Sequence, residues 1–247
     1  MRKFFVENEN IVEEKIFITG QDVNHIRNVL RLDVLEKILV CDKSNFRNYI
    51  CEIIEIKQDE IECKIIEEVK GEAEGNVELH IFQGLPKADK MELIIQKGTE
   101  LGISSYIPVK LSRCIVKLDG KDEVKKIDRW NKISEVAAKQ SGRDRVPLVH
   151  NLKNIKEVSQ MIDEYDLFLV AYEEEKENTL KSVLKNFKGK EKLRIAVIIG
   201  PEGGIDESEI NLSKDNKFVS VTLGKRILRT ETAPLVIASN IIYDVED

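Results

Sequence analysis

The stretch IIGPEGGIDESEI, residues 198–210, runs from an apolar segment through a turn into a helix start. The turn contains three glycines, which allow backbone angles and close approaches that side chains forbid: Gly200, Gly203 and Gly204. Asp206 and Glu209 have the spacing of a helix capping box. The stretch therefore predicts a strand, a tight turn and a helix, which is the repeating unit of α/β folds.

The charge of this turn limits its ligands. Its glycine spacing matches neither GxGxxG nor GxxxxGK[ST], the two common nucleotide motifs. No lysine or arginine lies between Arg194 and Lys214, and the segment carries four carboxylates: Glu202, Asp206, Glu207 and Glu209. Such a loop would repel a phosphate and favours a neutral or cationic ligand. A turn with only a structural role explains the glycines equally well.

From residue 77 onward, strand-like and helix-like segments alternate. The strand patterns are VELHIFQGL, SYIPVKL, YDLFLVAY, LRIAVIIG and FVSVTLG, and helical patterns such as ADKMELIIQKGTELGI and TLKSVLKNF lie between them. This alternation predicts a mainly parallel sheet with helices on both faces. Ligands of such sheets bind beyond the carboxyl ends of the strands, so we expect the site in the loops after Tyr172, Ile199 and Leu223.

The first part of the chain has a different pattern. The segments KIFIT, KILVCD, NYICEIIEI and EIECKIIEEV are short, β-branched and partly alternating, which predicts a small β-rich domain or barrel. The polar segment KGEAEGN separates this part from the rest, so the predicted domains cover residues 1–70 and 77–247.

One helix, DVNHIRNVLRL, interrupts the β-rich part. Val23 and Ile26, with either Val29 or Leu30, form its apolar stripe. The charged face outside this stripe is either a solvated surface or an RNA contact.

The composition is that of an ordinary globular protein, with 247 residues and a formal net charge of -6. No run approaches the roughly 18 apolar residues of a membrane span, and the N-terminus MRKFFVENEN lacks the apolar core of a secretory signal. We therefore expect a cytoplasmic protein with no membrane partner. The four cysteines have no close pairing, so we expect reduced, mostly buried thiols and no metal site.

A second loop, LGKRILRTETAPL at residues 223–235, joins a predicted strand to the last helix. It carries Lys225, Arg226 and Arg229 close to a helix start with Pro234 in its first turn. Cations and hydroxyls beside a helix start suit an anionic group, although a capped surface turn would have the same residues.

Six stretches of the chain together resemble the ribosomal RNA small subunit methyltransferase E family. In the order of that family they are MRKFFV, HIRNVLRL, LPKADKMELIIQKGTELGI, EVAAKQSGRDRVP, IIGPEGGIDESEI and LGKRILRTETAPL. The resemblance implies an N-terminal PUA-like β-barrel domain and a C-terminal SPOUT-type domain with a mainly parallel sheet and a trefoil knot. It also implies a homodimer that uses S-adenosylmethionine to methylate N3 of a uridine in the 16S ribosomal RNA of the small ribosomal subunit.

The chain departs from the family pattern in two places. Residues 33–36 read DVLE where the family commonly has a Lys-x-Gly-Asp turn, and the strand end LVAYEEE lacks a Pro-Glu pair that many relatives carry.

The resemblance implies which loops form the cofactor pocket. Within these loops, the residues that we assign to the pocket are Ala171, Ile199, Gly200, Gly203, Gly204, Leu223, Gly224, Ile227 and Leu228. S-adenosylmethionine carries a sulfonium and an ammonium but no phosphate, so an acidic loop is compatible with it. Glu202 either meets the cationic end of the cofactor or holds the turn by accepting backbone N–H groups.

For the reaction, we expect Arg229 to stabilise the charge that develops on uracil when the N3 proton leaves. Glu231 is a candidate base, and direct transfer of the proton to water is the alternative. The residues that we expect to bind RNA are Arg2, His25, Arg27, Arg31, Lys87, Lys90, Gln140 and Arg143. Two other functions remain open, a ribosome assembly factor that binds RNA without catalysis and a Rossmann-like nucleotide-dependent enzyme.

Overall fold

A computed structural model describes residues 1–215 and 218–246 of the chain. Contacts divide the chain into two units, one of Met1–Glu74 with Ala138–Val146 and one of Gly75–Ala137 with Pro147–Asp247. The division at residues 1–70 and 77–247 stays a prediction. Residues 138–146 group with the first unit because Ala138 and Val146 pack against Phe5 and Cys41.

The first unit contains a six-stranded mixed sheet. Its strands are β1 (Lys3–Val6), β2 (Ile11–Val12), β3 (Lys15–Thr19), β4 (Lys37–Asp42), β5 (Asn48–Ile56) and β6 (Glu60–Val69). They lie in the order β1-β4-β5-β6-β3-β2, with β1 parallel to β4 and the other neighbours antiparallel. The prediction that this part of the chain is rich in β structure is confirmed.

One helical segment crosses this unit, as predicted, but it is not a uniform α-helix. It begins as α1 (Gln21–Asn24), continues as a π-helix over His25–Leu30, and ends at Arg31 in a left-handed conformation with φ 54°. Because the π-helical turn is wider, Leu30 packs against the core, while Val29 is 65% exposed. Leu30 therefore belongs to the apolar stripe and Val29 does not.

The second unit contains a seven-stranded sheet in which every pair of described strands is parallel. Its strands are β7 (Val77–Gly84), β8 (Ser105–Lys110), β9 (Leu148–Val149), β10 (Lys153–Asn154), β11 (Leu167–Ala171), β12 (Leu193–Ile199) and β13 (Val219–Val221). The order is β10-β8-β7-β12-β11-β13, with β9 also paired to β8. The predicted parallel sheet is confirmed.

Helices cover both faces of this sheet. They are α2 (Lys90–Glu100), α3 (Gly120–Ser141), α4 (Ile155–Ser159), α5 (Leu180–Leu184), α6 (Glu207–Asp215) and α7 (Ala233–Val245). Alternate residues of β12 point to different faces of the sheet and belong to different hydrophobic cores. Ile195 and Val197 pack in the core that includes residues of α2 and α7. Ala196 and Ile198 pack in the core that includes residues of α4 and α6. No helix within residues 1–215 and 218–246 is long and apolar enough to span a membrane.

The register of this sheet brings several strand ends to one edge. Ile199 at the end of β12 pairs with Gln83 of β7 on one side and with Ala171 of β11 on the other. Ala171 in turn pairs with Val221, the last residue of β13. The loops that follow these strands therefore start beside one another, where α/β sheets bind ligands.

The cysteines are free thiols, as predicted. Cys41, Cys51 and Cys63 are buried in the first unit, and Cys114 is half-buried. Burial raises the pKa of the Cys51 thiol to about 12. Such a thiol stays protonated at neutral pH and behaves as a small apolar side chain.

A buried ion pair holds the first unit to its C-terminal segment. Lys3 Nζ lies 2.5 Å from Asp144 Oδ1, and the two side chains are 8% and 7% exposed. Asp144 also accepts the Asn48 side-chain amide at 2.9 Å and the Ala73 N–H at 2.8 Å. Burial opposes ionisation of Asp144, but the hydrogen bonds from Lys3 and Ala73 outweigh it, so the pKa of Asp144 lies below its usual value.

We expect Asp144→Ala to lower the free energy of unfolding by about 3 kcal/mol, because it leaves Lys3 buried without its carboxylate. The folded pKa of Asp144 is depressed, so its stabilisation is complete above the usual carboxyl pKa of about 4 and is lost as the pH falls through the lower folded value. Urea unfolding at pH 7 and at about pH 3 measures both effects.

The matched control is Glu72→Ala, which removes an exposed carboxylate from the same unit and should change the unfolding free energy by less than about 0.5 kcal/mol. Equal stabilities for the two variants at pH 7 would contradict the role given to Asp144.

Candidate functional site

A cavity of about 400 Å³ opens at the shared edge of the sheet in the second unit. Its walls are residues 171–173, residues 199–202 with Gly204, and residues 222–230, with Lys90 and Ala233 at the margin. These are the loops after β11, β12 and β13. The loops expected from the sequence therefore do meet around one space.

Most of the predicted pocket residues line this cavity. They are Ala171, Ile199, Gly200, Gly204, Leu223, Gly224, Ile227 and Leu228. Gly203 is absent from the lining of the described cavity, because its α-carbon faces Arg113: a Cβ built on Gly203 would lie 3.1 Å from Arg113 Cβ. Arg113 Nη1 also donates to the Gly203 carbonyl at 3.2 Å, so Gly203 belongs to the support behind the loop.

Close contacts require glycine at Gly200 and Gly204, the two residues of this turn that line the cavity. A Cβ on Gly200 would lie 2.9 Å from the carbonyl carbon of Gly204. Gly204 has φ 73° and donates its N–H to the Pro201 carbonyl at 2.9 Å, and a Cβ there would collide with Glu173 Oε1. The glycines thus make a tight turn and also bring bare backbone to the cavity wall.

The helix after the turn begins as the sequence predicts. The Asp206 side chain accepts the Ser208 N–H at 3.1 Å, and Glu209 Oε2 accepts the Asp206 N–H at 3.2 Å. Glu209 is buried and also accepts the N–H of Ser112 at 2.8 Å. The cap of α6 therefore anchors the loop after β8 as well as its own helix.

A hydroxyl joins the loop after β12 to the loop before α7. Thr230 Oγ1 donates to the Gly200 carbonyl at 2.7 Å and accepts from Gln83 Nε2 at 2.9 Å. Gln83 Nε2 also donates to the Gly84 carbonyl at 3.0 Å, and its side chain is fully buried. Sequence reasoning missed Gln83, although a glutamine near the end of an apolar strand was a usable signal.

Glu202 is held by its neighbours in the same unit. It accepts the Lys87 N–H at 3.0 Å and lies 2.9 Å from Lys90 Nζ. Burial alone would raise the pKa of Glu202, but the hydrogen bonds from Lys90 and the Lys87 N–H bring that pKa below its usual value. Of the two roles considered for Glu202, this geometry favours holding the turn.

The two residues expected to carry the chemistry have different surroundings. Arg229 lines the cavity and its side chain is 81% exposed. Glu231 is not among the residues lining this cavity. Its Oε2 lies 3.2 Å from Lys90 Nζ, and its Oε1 lies 4.0 Å from Arg229 Nη1. Glu231 is therefore engaged with cations beside the cavity.

Some of the residues predicted to bind RNA are exposed, and others already bond to neighbouring groups of the protein. The exposed ones are Arg2, His25, Arg31, Lys87 and Gln140. Arg27 is exposed too, but its Nη1 donates to the carbonyls of Lys57 and Gln58 and so supports a turn. Arg143 is 4% exposed and its Nη2 lies 2.6 Å from Glu74 Oε2, which gives it a structural role within its unit.

Comparisons with known proteins agree with this architecture. Residues 73–242 match an RNA methyltransferase domain, and residues 18–66 match an RNA methyltransferase PUA domain. A ribosomal RNA small subunit methyltransferase E from Bacillus subtilis is 39% identical, with 100% of this chain and 98% of the relative covered.

Two solved structures share the fold over nearly their whole lengths. A ribosomal RNA small subunit methyltransferase E from Neisseria gonorrhoeae, bound to S-adenosyl methionine, is 29% identical with a TM-score of 0.86, covering 100% of this chain and 99% of that one. A methyltransferase from Legionella pneumophila, in complex with the cofactor SAM, is 25% identical with a TM-score of 0.86, covering 99% and 98%.

We expect Thr230→Val to lower the free energy of unfolding by about 1 to 2 kcal/mol, because it leaves the half-buried Gly200 carbonyl and the buried Gln83 amide without the hydroxyl. Thr230→Ser keeps the hydroxyl and is the matched control. Denaturant titrations of both variants measure the difference. If valine and serine gave the same stability, the hydroxyl would not be what joins the two loops.

Proposed function

We propose a function from one premise, that the chain belongs to the ribosomal RNA small subunit methyltransferase E family. It is an enzyme that transfers a methyl group from S-adenosylmethionine to small-subunit ribosomal RNA. The observation that carries the proposal is the cavity in which the loop of residues 199–204 meets the loop of residues 222–230.

The cavity fits the cofactor in size and has carboxylates among its lining residues. Its volume of about 400 Å³ lies within the range usual for small-molecule sites. Glu173 and Glu202 line it, and its glycines present backbone groups without side chains. The basic lining residues are Lys90, which pairs with Glu202, and Lys225, Arg226 and Arg229 of the loop before α7. We propose that Ile199, Gly200 and Leu223 bound the adenosine part of the cofactor, with the remaining lining residues of both loops around them. The cofactor supplies an electrophilic methyl group on its sulfonium.

We further propose that the acceptor is N3 of a uridine in 16S RNA. This nitrogen is a poor nucleophile until its proton leaves, and the resulting negative charge spreads onto the uracil oxygens. A cation at the rim lowers the energy of that anion. Arg229 is suited to this role because its guanidinium is exposed at the cavity and has five N–H donors.

The proton of N3 has two routes. Glu231 lies beside Arg229, but its carboxylate also faces Lys90 at 3.2 Å and is not part of the cavity lining described above. We therefore propose that Glu231 chiefly positions Arg229 and Lys90, and that the proton passes to water at the open rim.

RNA is proposed to approach across the loop before α7. Lys225 and Arg226 are exposed at the cavity rim, and no ion pair of either side chain is found within residues 1–215 and 218–246. Cations of this kind can bind the phosphates that flank the target uridine. The exposed residues Arg2, His25 and Arg31 are proposed to contact RNA from the first unit.

The assembly and location follow from the resemblance. We propose a cytoplasmic homodimer with a trefoil knot in the C-terminal domain. Light scattering of the purified protein would give twice the chain mass of 28.3 kDa if the dimer forms.

Arg229→Ala should lower the methylation rate constant by about 100-fold or more, because charge stabilisation in the transition state is lost. The affinity for S-adenosylmethionine should change by less than about threefold, since Arg229 acts on the acceptor. Single-turnover methylation of small subunits and calorimetry measure the two effects. The methylation rate constant of Arg229→Lys should lie between those of the wild type and Arg229→Ala, because lysine keeps the positive charge but lacks the planar guanidinium.

A near-normal single-turnover rate for Arg229→Ala would remove this residue from the mechanism. Cofactor binding by the wild-type protein without any methyl transfer would instead favour a ribosome assembly factor.

The double variant Lys225→Ala/Arg226→Ala should weaken RNA binding and reduce the slope of log K against log salt by about 1.4, which corresponds to two lost contacts on single-stranded RNA. Filter binding at several salt concentrations measures the slope. Lys190→Ala/Lys192→Ala is the matched control, because these exposed lysines precede β12 at the opposite end of the strand from the cavity. Equal slopes for the two double variants would contradict the proposed RNA path.

A further inference from the structure

The carboxylates around the cavity differ in whether a cation already neutralises them. Lys90 Nζ lies 2.9 Å from Glu202 and 3.2 Å from Glu231, so a single lysine bridges both groups. Arg229 adds a second cation 4.0 Å from Glu231. Each of these two carboxylates therefore already has a cation beside it.

Glu173 has different surroundings. It lines the cavity directly after β11, its side chain is exposed, and no ion pair of this residue occurs in the described parts of the chain, 1–215 and 218–246. It is therefore the cavity-lining carboxylate whose charge remains available to a ligand.

The backbone around Glu173 is fixed on both sides. The Tyr172 N–H donates to the Val221 carbonyl at 3.1 Å, which continues the sheet to the residue before Glu173. Two residues later, Glu175 Oε1 accepts the N–H groups of Lys176, Glu177 and Asn178 at 3.0, 2.8 and 3.2 Å. On the cavity side, Glu173 Oε1 lies over the α-carbon of Gly204, in the space that a Cβ would need. The carboxylate thus lies against the glycine turn.

The donor and the product of the reaction differ in charge at one atom. S-adenosylmethionine has a positive sulfonium, and S-adenosylhomocysteine has a neutral thioether in the same place, while their ammonium and carboxylate groups are identical. A fixed carboxylate near that atom attracts the donor more than the product, and the attraction is stronger in a partly enclosed cavity than in water.

We propose that Glu173 is the residue by which the cavity distinguishes the charged donor from the neutral product. The inference rests on the proposed function, since it concerns the cofactor of that same cavity. Its consequence is kinetic as well as thermodynamic. Loss of the sulfonium charge on methyl transfer removes the attraction, which favours replacement of product by a new donor molecule.

The test compares the affinities of three ligands for the wild-type protein and for Glu173→Gln, a variant of nearly the same shape without the charge. The ligands are S-adenosylmethionine, S-adenosylhomocysteine, and sinefungin, in which an amine-bearing carbon replaces the methylated sulfur and keeps the positive charge. Glu177→Gln is the matched control, because Glu177 is exposed four residues further along and does not line the cavity.

Calorimetry should show that Glu173→Gln weakens S-adenosylmethionine and sinefungin by about fivefold and S-adenosylhomocysteine by less than about twofold, a difference expected for one partly screened charge pair. Glu177→Gln should bind all three ligands as the wild type does. In the wild type, the preference for S-adenosylmethionine over S-adenosylhomocysteine should also decline as the salt concentration is raised. In Glu173→Gln this decline should be smaller.

Equal weakening of all three ligands by Glu173→Gln, or no weakening of any, would overturn the inference while leaving the methyltransferase function intact. A wild-type protein that binds none of the three would overturn the proposed function instead. Thermal unfolding of Glu173→Gln confirms that the variant is folded before its affinities are compared.

Discussion

The site depends on one hydroxyl group, Thr230 Oγ1, which lies between the Gly200 carbonyl at 2.7 Å and the Gln83 amide at 2.9 Å. The three residues come from chain segments that are far apart in sequence and adjacent at the edge of the parallel sheet. Because the amide of Gln83 is fully buried, its hydrogen bonds are made in a medium that makes an unpaired group costly. The two loops that form the cavity are therefore held together by partners that water cannot readily replace.

The charge of the cavity explains why an acidic glycine turn suits this enzyme. Lys90 bridges Glu202 and Glu231, so these carboxylates stabilise the loops around the cavity. We propose that Glu173 attracts the cofactor and that the exposed Arg229, which also lines the cavity, meets the RNA base. Opposite charges are thus assigned to the two reactants, a cationic donor and an acceptor that becomes anionic. A phosphate-binding loop carries positive charge and would repel the cationic donor.

Local patterns in the sequence predicted the strands and helices. They did not predict the surroundings of residues whose contacts come from distant parts of the chain. Strand and helix periods, and the cap of α6, follow from residues close together in the chain, so the parallel sheet and its loops could be anticipated. The direction in which Gly203 faces depends on Arg113, about ninety positions earlier. The burial of Arg143 depends in the same way on Glu74. Contacts of this kind leave no periodic signal, and one sequence cannot show them.

The most direct test of the account is the methylation of small ribosomal subunits from cells that lack this protein. Purified protein and S-adenosylmethionine are added, and the nucleosides of the 16S RNA are then separated and identified by mass spectrometry. The account predicts that N3-methyluridine appears, at one methyl group per subunit, only when both protein and cofactor are present. Binding of the cofactor with no methylated uridine in the RNA, or methylation of another base, would contradict it.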